Sequence, residues 1–155
     1  MSPDALKEWV THAVGLLGLV VDSAVVSVGP ASKARPGRTT VSLVSSDSEA
    51  LIGPNGDHLR ALNTLLRRIV EQKHGIEAAN FLVDVNGYHE AQMEAVRATA
   101  RMFAQRARLF KREVEMEPMN PYERLVVHEL FANDPDIETR SEGEGKFRHV
   151  VLAPR

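Results

Sequence analysis

From Pro3 to Leu19 the apolar residues Leu6, Trp9, Val10, Ala13, Leu16 and Leu17 recur with a helical period. The pattern then shortens to alternation. Val26 and Val28, then Val41 and Leu43, sit between polar neighbours and predict strands over Asp22–Val28 and Thr39–Ser45. The segment 29–38 between them is rich in glycine, proline and cations (Lys33, Arg35, Arg38) and predicts a loop. A short helical piece over Ser46–Ile52, with Asp47 or Ser48 as its cap, runs into Gly53-Pro54-Asn55-Gly56. After that loop Asp57 is expected to cap a helix reaching Lys73, buried along Leu59, Leu62, Leu65, Leu66, Ile69 and Val70. Phe81–Val85 closes this half as a strand, with Phe81, Val83 and Val85 on one face.

Asn86-Gly87 is the one plausible boundary, and it is too short for a flexible linker. Beyond it, Tyr88 to about Phe110 reads as a long helix and Glu113–Glu117 as a strand. Asn120, Pro121 and Glu123 have the spacing of a capping box with proline in the first turn, and they fix the start of a helix ending near Asn133. Ile137–Ser141 and Phe147–Leu152 are expected to be strands joined by the glycine-rich turn Gly143-Glu144-Gly145. The chain is thus α+β, with one unit at 1–85 and a second at 87–155.

Composition narrows the chemistry. The absence of cysteine among 155 residues excludes disulfides and thiolate metal sites. No run approaches the roughly 18 apolar residues of a membrane span, and the start Met1-Ser2-Pro3-Asp4 is unlike a signal peptide, so no membrane insertion and a cytoplasmic location are expected. The formal net charge is -2, with 8 Lys/Arg against 9 Asp/Glu over 1–85 and 11 against 12 over 86–155. A nucleic-acid surface must therefore come from local clustering of cations, with acids segregated elsewhere.

Two constellations suit such a surface. A loop with glycines at both ends and no bulky side chain lets a sugar–phosphate backbone approach the start of the following helix. A negative charge placed at Gly56 is therefore expected to weaken binding without unfolding the chain. Arg60, Thr64 and Arg67 share one face of that helix, opposite the leucines, and could carry phosphate contacts. In the second half Arg124 and His128 lie one helical turn apart, a guanidinium beside an imidazole, which can grip a phosphate and stack on a base. Enzyme motifs fail. His128-Glu129 would need a second histidine where Ala132 stands, Gly145-Lys146 lacks the remainder of a phosphate-binding loop, and the six histidines have no paired ligand spacing. Neither a metal nor another cofactor is expected.

The order helix, strand, strand, helix, Gly-x-x-Gly, helix, strand, with Leu51-Ile52-Gly53 and Leu59-x-Ala61-Leu62, resembles a type II KH domain, a three-stranded sheet with helices on one face. Its loop carries Pro54 and Asn55 where members commonly carry basic residues. The second half, from Glu115-Met116-Glu117-Pro118 through Arg124, His128 and Ser141-Glu142-Gly143-Glu144-Gly145 to Arg148-x-Val150-Val151, resembles an R-3-H domain, with Leu125 where relatives often have a second arginine. The two in this order are similar to the bacterial Jag family, also called SpoIIIJ-associated protein or KhpB. That resemblance implies a non-enzymatic binder of single-stranded RNA, or of single-stranded DNA, acting as an RNA chaperone or post-transcriptional regulator. A second KH-domain protein is a candidate partner. The site residues it implies are Gly53, Pro54, Asn55, Gly56, Arg60, Arg67, Arg124 and His128. The alternative is a protein-interaction scaffold of the same fold with weak nucleic-acid binding.

Overall fold

A computed structural model describes residues 1–31 and 37–155. The loop cations Lys33 and Arg35 lie outside the described residues. The chain divides into two compact units, Met1–His89 and Glu90–Arg155.

The first unit runs α1 (Pro3–Leu16), β1 (Ser23–Val28), β2 (Thr39–Val44), α2 (Ser48–Ile52), α3 (Asp57–His74) and β3 (Phe81–Val85), and its sheet order is β1-β2-β3. β1 and β2 pair antiparallel and β2 and β3 parallel, with Val26, Val41 and Val83 in line across the sheet. Those positions point into a core completed by Leu6, Val10 and Val14 of α1, Leu51 of α2 and Leu59, Leu62, Leu66 and Val70 of α3. The opposite sheet face leaves Val25 and Val44 exposed. Three apolar positions of the expected helical stripes are exposed. Leu16 and Leu17 fall at the end of α1, where Gly18 turns the chain, and Leu65 lies on an uncovered flank of α3.

Asn63 takes a place inside that the periodicity did not assign it. Its amide donates to the Val83 carbonyl (2.8 Å) and accepts from the Val83 N–H (2.8 Å), so it satisfies β3 where the sheet ends and docks α3 on it. Asp47 holds the cap position of α2, as expected, but its side chain makes no capping bond. Its carboxylate instead accepts from the Val20 N–H at 2.7 Å.

The unit extends two residues past Asn86-Gly87, to His89. The buried Asp84 carboxylate accepts from the His89 N–H at 2.8 Å, and Tyr88 packs on the first core, which holds the first turn of α4 (Tyr88–Phe110) to this unit. Asn86 adopts a left-handed φ of 51° and brackets Ser45, accepting from its N–H and donating to its carbonyl.

The second unit contains the remainder of α4, then β4 (Val114–Glu115), α5 (Pro121–Leu130), β5 (Ile137–Glu142) and β6 (His149–Pro154). β6 is central in an antiparallel sheet of order β4-β6-β5. Ala100, Ala104 and Ala107 of α4 and Val127 and Phe131 close to Ile137, Val150 and Leu152 in its core. The alanines let the α4 backbone approach closely. The capping box is present in full: Asn120 accepts from the Glu123 N–H (2.9 Å) and Glu123 accepts from the Asn120 N–H (3.0 Å). The helix it starts ends at Leu130, a turn before the expected Asn133.

Candidate nucleic-acid interface

In the first unit the Gly-x-x-Gly segment links α2 to α3 as a tight turn. Gly53, Asn55 and Gly56 have φ of 70°, 53° and 77°. Gly56, rather than Asp57, holds the cap position of α3, and Asp57 is its first helical residue. Both glycines are closely covered. A Cβ on Gly53 would stand 2.3 Å from the His58 ring, and one on Gly56 would stand 2.8 Å from the Tyr88 ring. The expected clean loss of binding on adding a side chain at Gly56 therefore does not hold, because the substitution would first disturb the fold. Pro54 removes a donor from the loop.

Arg60 leans back on this turn, bonding the Asp57 carboxylate (2.9 Å) and the Asn55 carbonyl (3.1 Å). Its charge is locally compensated. Arg67 differs. It is half-buried, its Nε has no hydrogen-bond partner, and burial followed by repulsion from Arg38 lowers its pKa. The Arg38 guanidinium thus lies near enough to add repulsion to the burial cost on Arg67.

In the second unit α5 carries Arg124 and His128 on one side while Val126 and Val127 are buried on the other. Arg124 donates to the Met119 carbonyl at 2.8 Å. The Met119 N–H in turn donates to the carbonyl of Arg148, whose own guanidinium donates to the Gly143 carbonyl at 2.9 Å. Backbone carbonyls therefore aim both guanidiniums. Among the described residues no carboxylate lies within ion-pair distance of either one.

His128 sits between them electrostatically. Its ring nitrogens meet the Thr139 hydroxyl at 2.7 Å and the Ser141 hydroxyl at 2.8 Å, both on β5. Burial, then the charges of Arg124 and Arg148, lower its pKa from the ordinary value of 6.5. The neutral ring, one nitrogen donating and one accepting, is satisfied by two hydroxyls that can each play either role. His128 is thus a brace between α5 and β5 that holds an uncharged ring beside two cations.

Arg148 was not among the expected site residues. Sequence spacing could not find it, because only the return of β6 beside β5 brings it to α5. Phe147, 66% exposed, precedes it, with the Lys146 ammonium 5.3 Å from its ring.

Four other arginines of this half differ in kind. Arg97 and Arg101 pair with Glu90 and Glu94, Arg108 pairs with Asp134, and Arg140 takes Glu113 through two bonds (2.9 and 2.8 Å) and Glu142 through a third (2.6 Å). Among the described residues one group could offer ligands to a metal: Glu115, Glu142 and His149, on three adjacent strands, with ligand atoms within 4.8 Å of one another. Both carboxylates are exposed, and Arg140 already holds Glu142, which places a competing positive charge at the cluster.

Residues 91–154, nearly all of the second unit, match the family model of the R-3-H domain. The chain is homologous to bacterial proteins named RNA-binding protein KhpB. It is 36% identical over 113 residues to the one from Clostridium symbiosum, an alignment covering 73% of this chain and 50% of that protein. The Bacillus subtilis (strain 168) protein is 31% identical over 105 residues (66% and 50%), and that of Lactiplantibacillus plantarum 29% over 116 (75% and 36%). The chain spans half or less of the length of these curated relatives. No described helix is long and apolar enough to cross a membrane.

Proposed function

We propose that this chain binds single-stranded RNA, with single-stranded DNA as an alternative ligand, and carries out no chemical turnover. The observation that carries the proposal is the Arg124–His128–Arg148 group. Two guanidiniums without carboxylate partners among the described residues flank a half-buried neutral imidazole, in the segment that matches the R-3-H family model. Guanidiniums aimed by carbonyls keep their remaining N–H groups for phosphate oxygens, and the imidazole face and the Phe147 ring offer surfaces for bases.

The first unit is assigned in the same proposal as a type II KH domain. Its element order, its sheet with one antiparallel and one parallel pairing, and the Gly53–Gly56 turn between α2 and α3 support that assignment. Here the phosphate contact falls to Arg67, because an anion at its guanidinium would offset the repulsion from Arg38. RNA chaperone activity or post-transcriptional regulation in the cytoplasm is the setting we propose.

One observation favours a protein partner as well. Leu17, Leu19, Ala61 and Leu65 line an apolar recess of about 360 Å³ on the first unit, which suits an interaction scaffold or a second KH-domain protein. Fluorescence anisotropy with labelled oligouridylate separates the readings. Micromolar binding that is lost in Arg124→Ala/Arg148→Ala supports the RNA role, whereas no binding by the folded wild type leaves the scaffold.

A further inference from the structure

The end of α4 carries a second feature of the kind nucleic acids recognise. The helix stops at Phe110, and Lys111, with a left-handed φ of 52°, turns the chain directly into β4. That reversal brings Arg112, Glu113 and Val114 back beside Arg106 and Phe110, and these five residues line a recess of about 460 Å³. Phe110 is 65% exposed and belongs to no core cluster. A phenyl ring held in the open at a helix end adds nothing to stability that burial would explain.

The charge around it is unbalanced in one direction. Arg106 lies over the Phe103 ring at 5.4 Å, a contact that orients the guanidinium without neutralising it. Among the described residues neither Arg106, Lys111 nor Arg112 has a carboxylate within ion-pair distance. The single acid of the recess, Glu113, is held bidentately by Arg140, which lowers its pKa. Arg101 and Arg108, on the same helix, are by contrast each paired with an acid. Among the described residues, three cations without an ion pair thus gather around one exposed aromatic ring.

We propose that Arg106, Phe110 and Arg112 form a second contact for single-stranded nucleic acid, separate from the Arg124–Arg148 group. A base stacks on Phe110, and the two guanidiniums and Lys111 receive the flanking phosphates. The inference rests on the RNA-binding role proposed above and extends its footprint to the start of β4.

The test titrates the 155-residue chain with a long oligouridylate at several salt concentrations. Phe110→Ser is expected to weaken binding by between about fivefold and a hundredfold, the range that loss of one stacked base implies. Arg106→Gln with Arg112→Gln should lower the slope of log affinity against log salt by about 1.4, two contacts at about 0.7 each. Phe110→Trp keeps the contact readable should the serine variant fold poorly, and its added indole fluorescence should be quenched saturably by the oligomer beyond any change seen in the wild type. Wild-type affinity and slope in these variants, with no added quenching, overturn the second contact. If Arg124→Ala/Arg148→Ala lowers affinity in the same assay, the role of the R-3-H domain survives that result. If the wild type takes up no oligomer, both proposals fall.

Discussion

The Gly53–Gly56 turn and the Arg124–Arg148 group differ in what their charges and close contacts are already doing. In the turn, the glycines are covered by the His58 and Tyr88 rings, and Arg60 is committed to Asp57 and the loop backbone. Around α5, the guanidiniums are fixed by carbonyls, which orient them and leave their charge uncompensated. A motif can be present and still be occupied by its own structure. Net charge could not reveal this contrast, since it counts cations without asking which already have partners. The second unit should therefore supply most of the affinity, and the first should contribute through the Arg38–Arg67 corner more than through its loop.

The largest effect expected is structural. Gly56→Asp forces a side chain into left-handed backbone and against Tyr88, and should cost the first unit about 2–4 kcal/mol from strain and overpacking together. Calorimetry should show an early transition while the second unit still binds oligouridylate at low temperature. A native melting curve with abolished binding would reverse the comparison and make the loop the principal contact. Next comes Arg124→Ala with Arg148→Ala, expected to reduce binding free energy by about 2–3 kcal/mol, the scale of charge-assisted bonds, with little change in melting. Unchanged affinity in that variant removes the second unit from the interface.

His128 sharpens the comparison further, because bracing and binding make different demands on its proton. Its folded pKa is lowered, so the folded state binds fewer protons than the unfolded chain. The stability it contributes is full above the ordinary value of 6.5 and falls as pH drops below that, through the depressed folded value. His128→Ala leaves the Thr139 and Ser141 hydroxyls without their partner and should cost about 1–2 kcal/mol. It should also flatten the acid limb of the stability profile. Affinity for single strands should stay level as pH falls to 6.5, since the neutral ring is the bound form. A rise in affinity over that range would mean that the imidazolium grips phosphate and that the two hydroxyls are incidental.

What the sequence made legible was whatever its own neighbourhood decides. The capping box at Asn120 and Glu123 lies within one turn, and α4 ends where its periodicity does. Strand alternation also placed Val41, Leu43 and Val83 in the core. Residues whose role depends on distant chain were opaque. Leu65 satisfies the helical period yet is exposed, because period says nothing about how wide the covering face is. Asn63 looks like a surface residue until β3 supplies both its partners. Arg148 joins Arg124 only through strand pairing in the second sheet, and Tyr88 closes over Gly56 only after the chain has completed β3. The Arg124–His128 pair was visible as spacing, while the brace to β5 that defines its histidine was not.

The smallest effect expected is at Arg60, and it tests the comparison where the two regions look most alike on paper. Both Arg60 and Arg124 are arginines on the first turns of helices, each donating to a backbone carbonyl just upstream. They differ in that Arg60 also meets a carboxylate, Asp57, within one turn. That pair is exposed, so deleting it should change stability by about 0.5 kcal/mol or less. Deleting it also leaves Asp57 uncompensated at the start of α3, where the helix dipole favours a negative charge, and this offsets part of the loss. A phosphate arriving at Arg60 must compete with Asp57 for the same guanidinium. Arg60→Ala should accordingly change oligouridylate affinity by less than about twofold and the salt slope by well under the roughly 0.7 of a full contact. A drop in slope of that full size would show that Asp57 yields its partner to phosphate, and the turn would then rank with α5 as a contact.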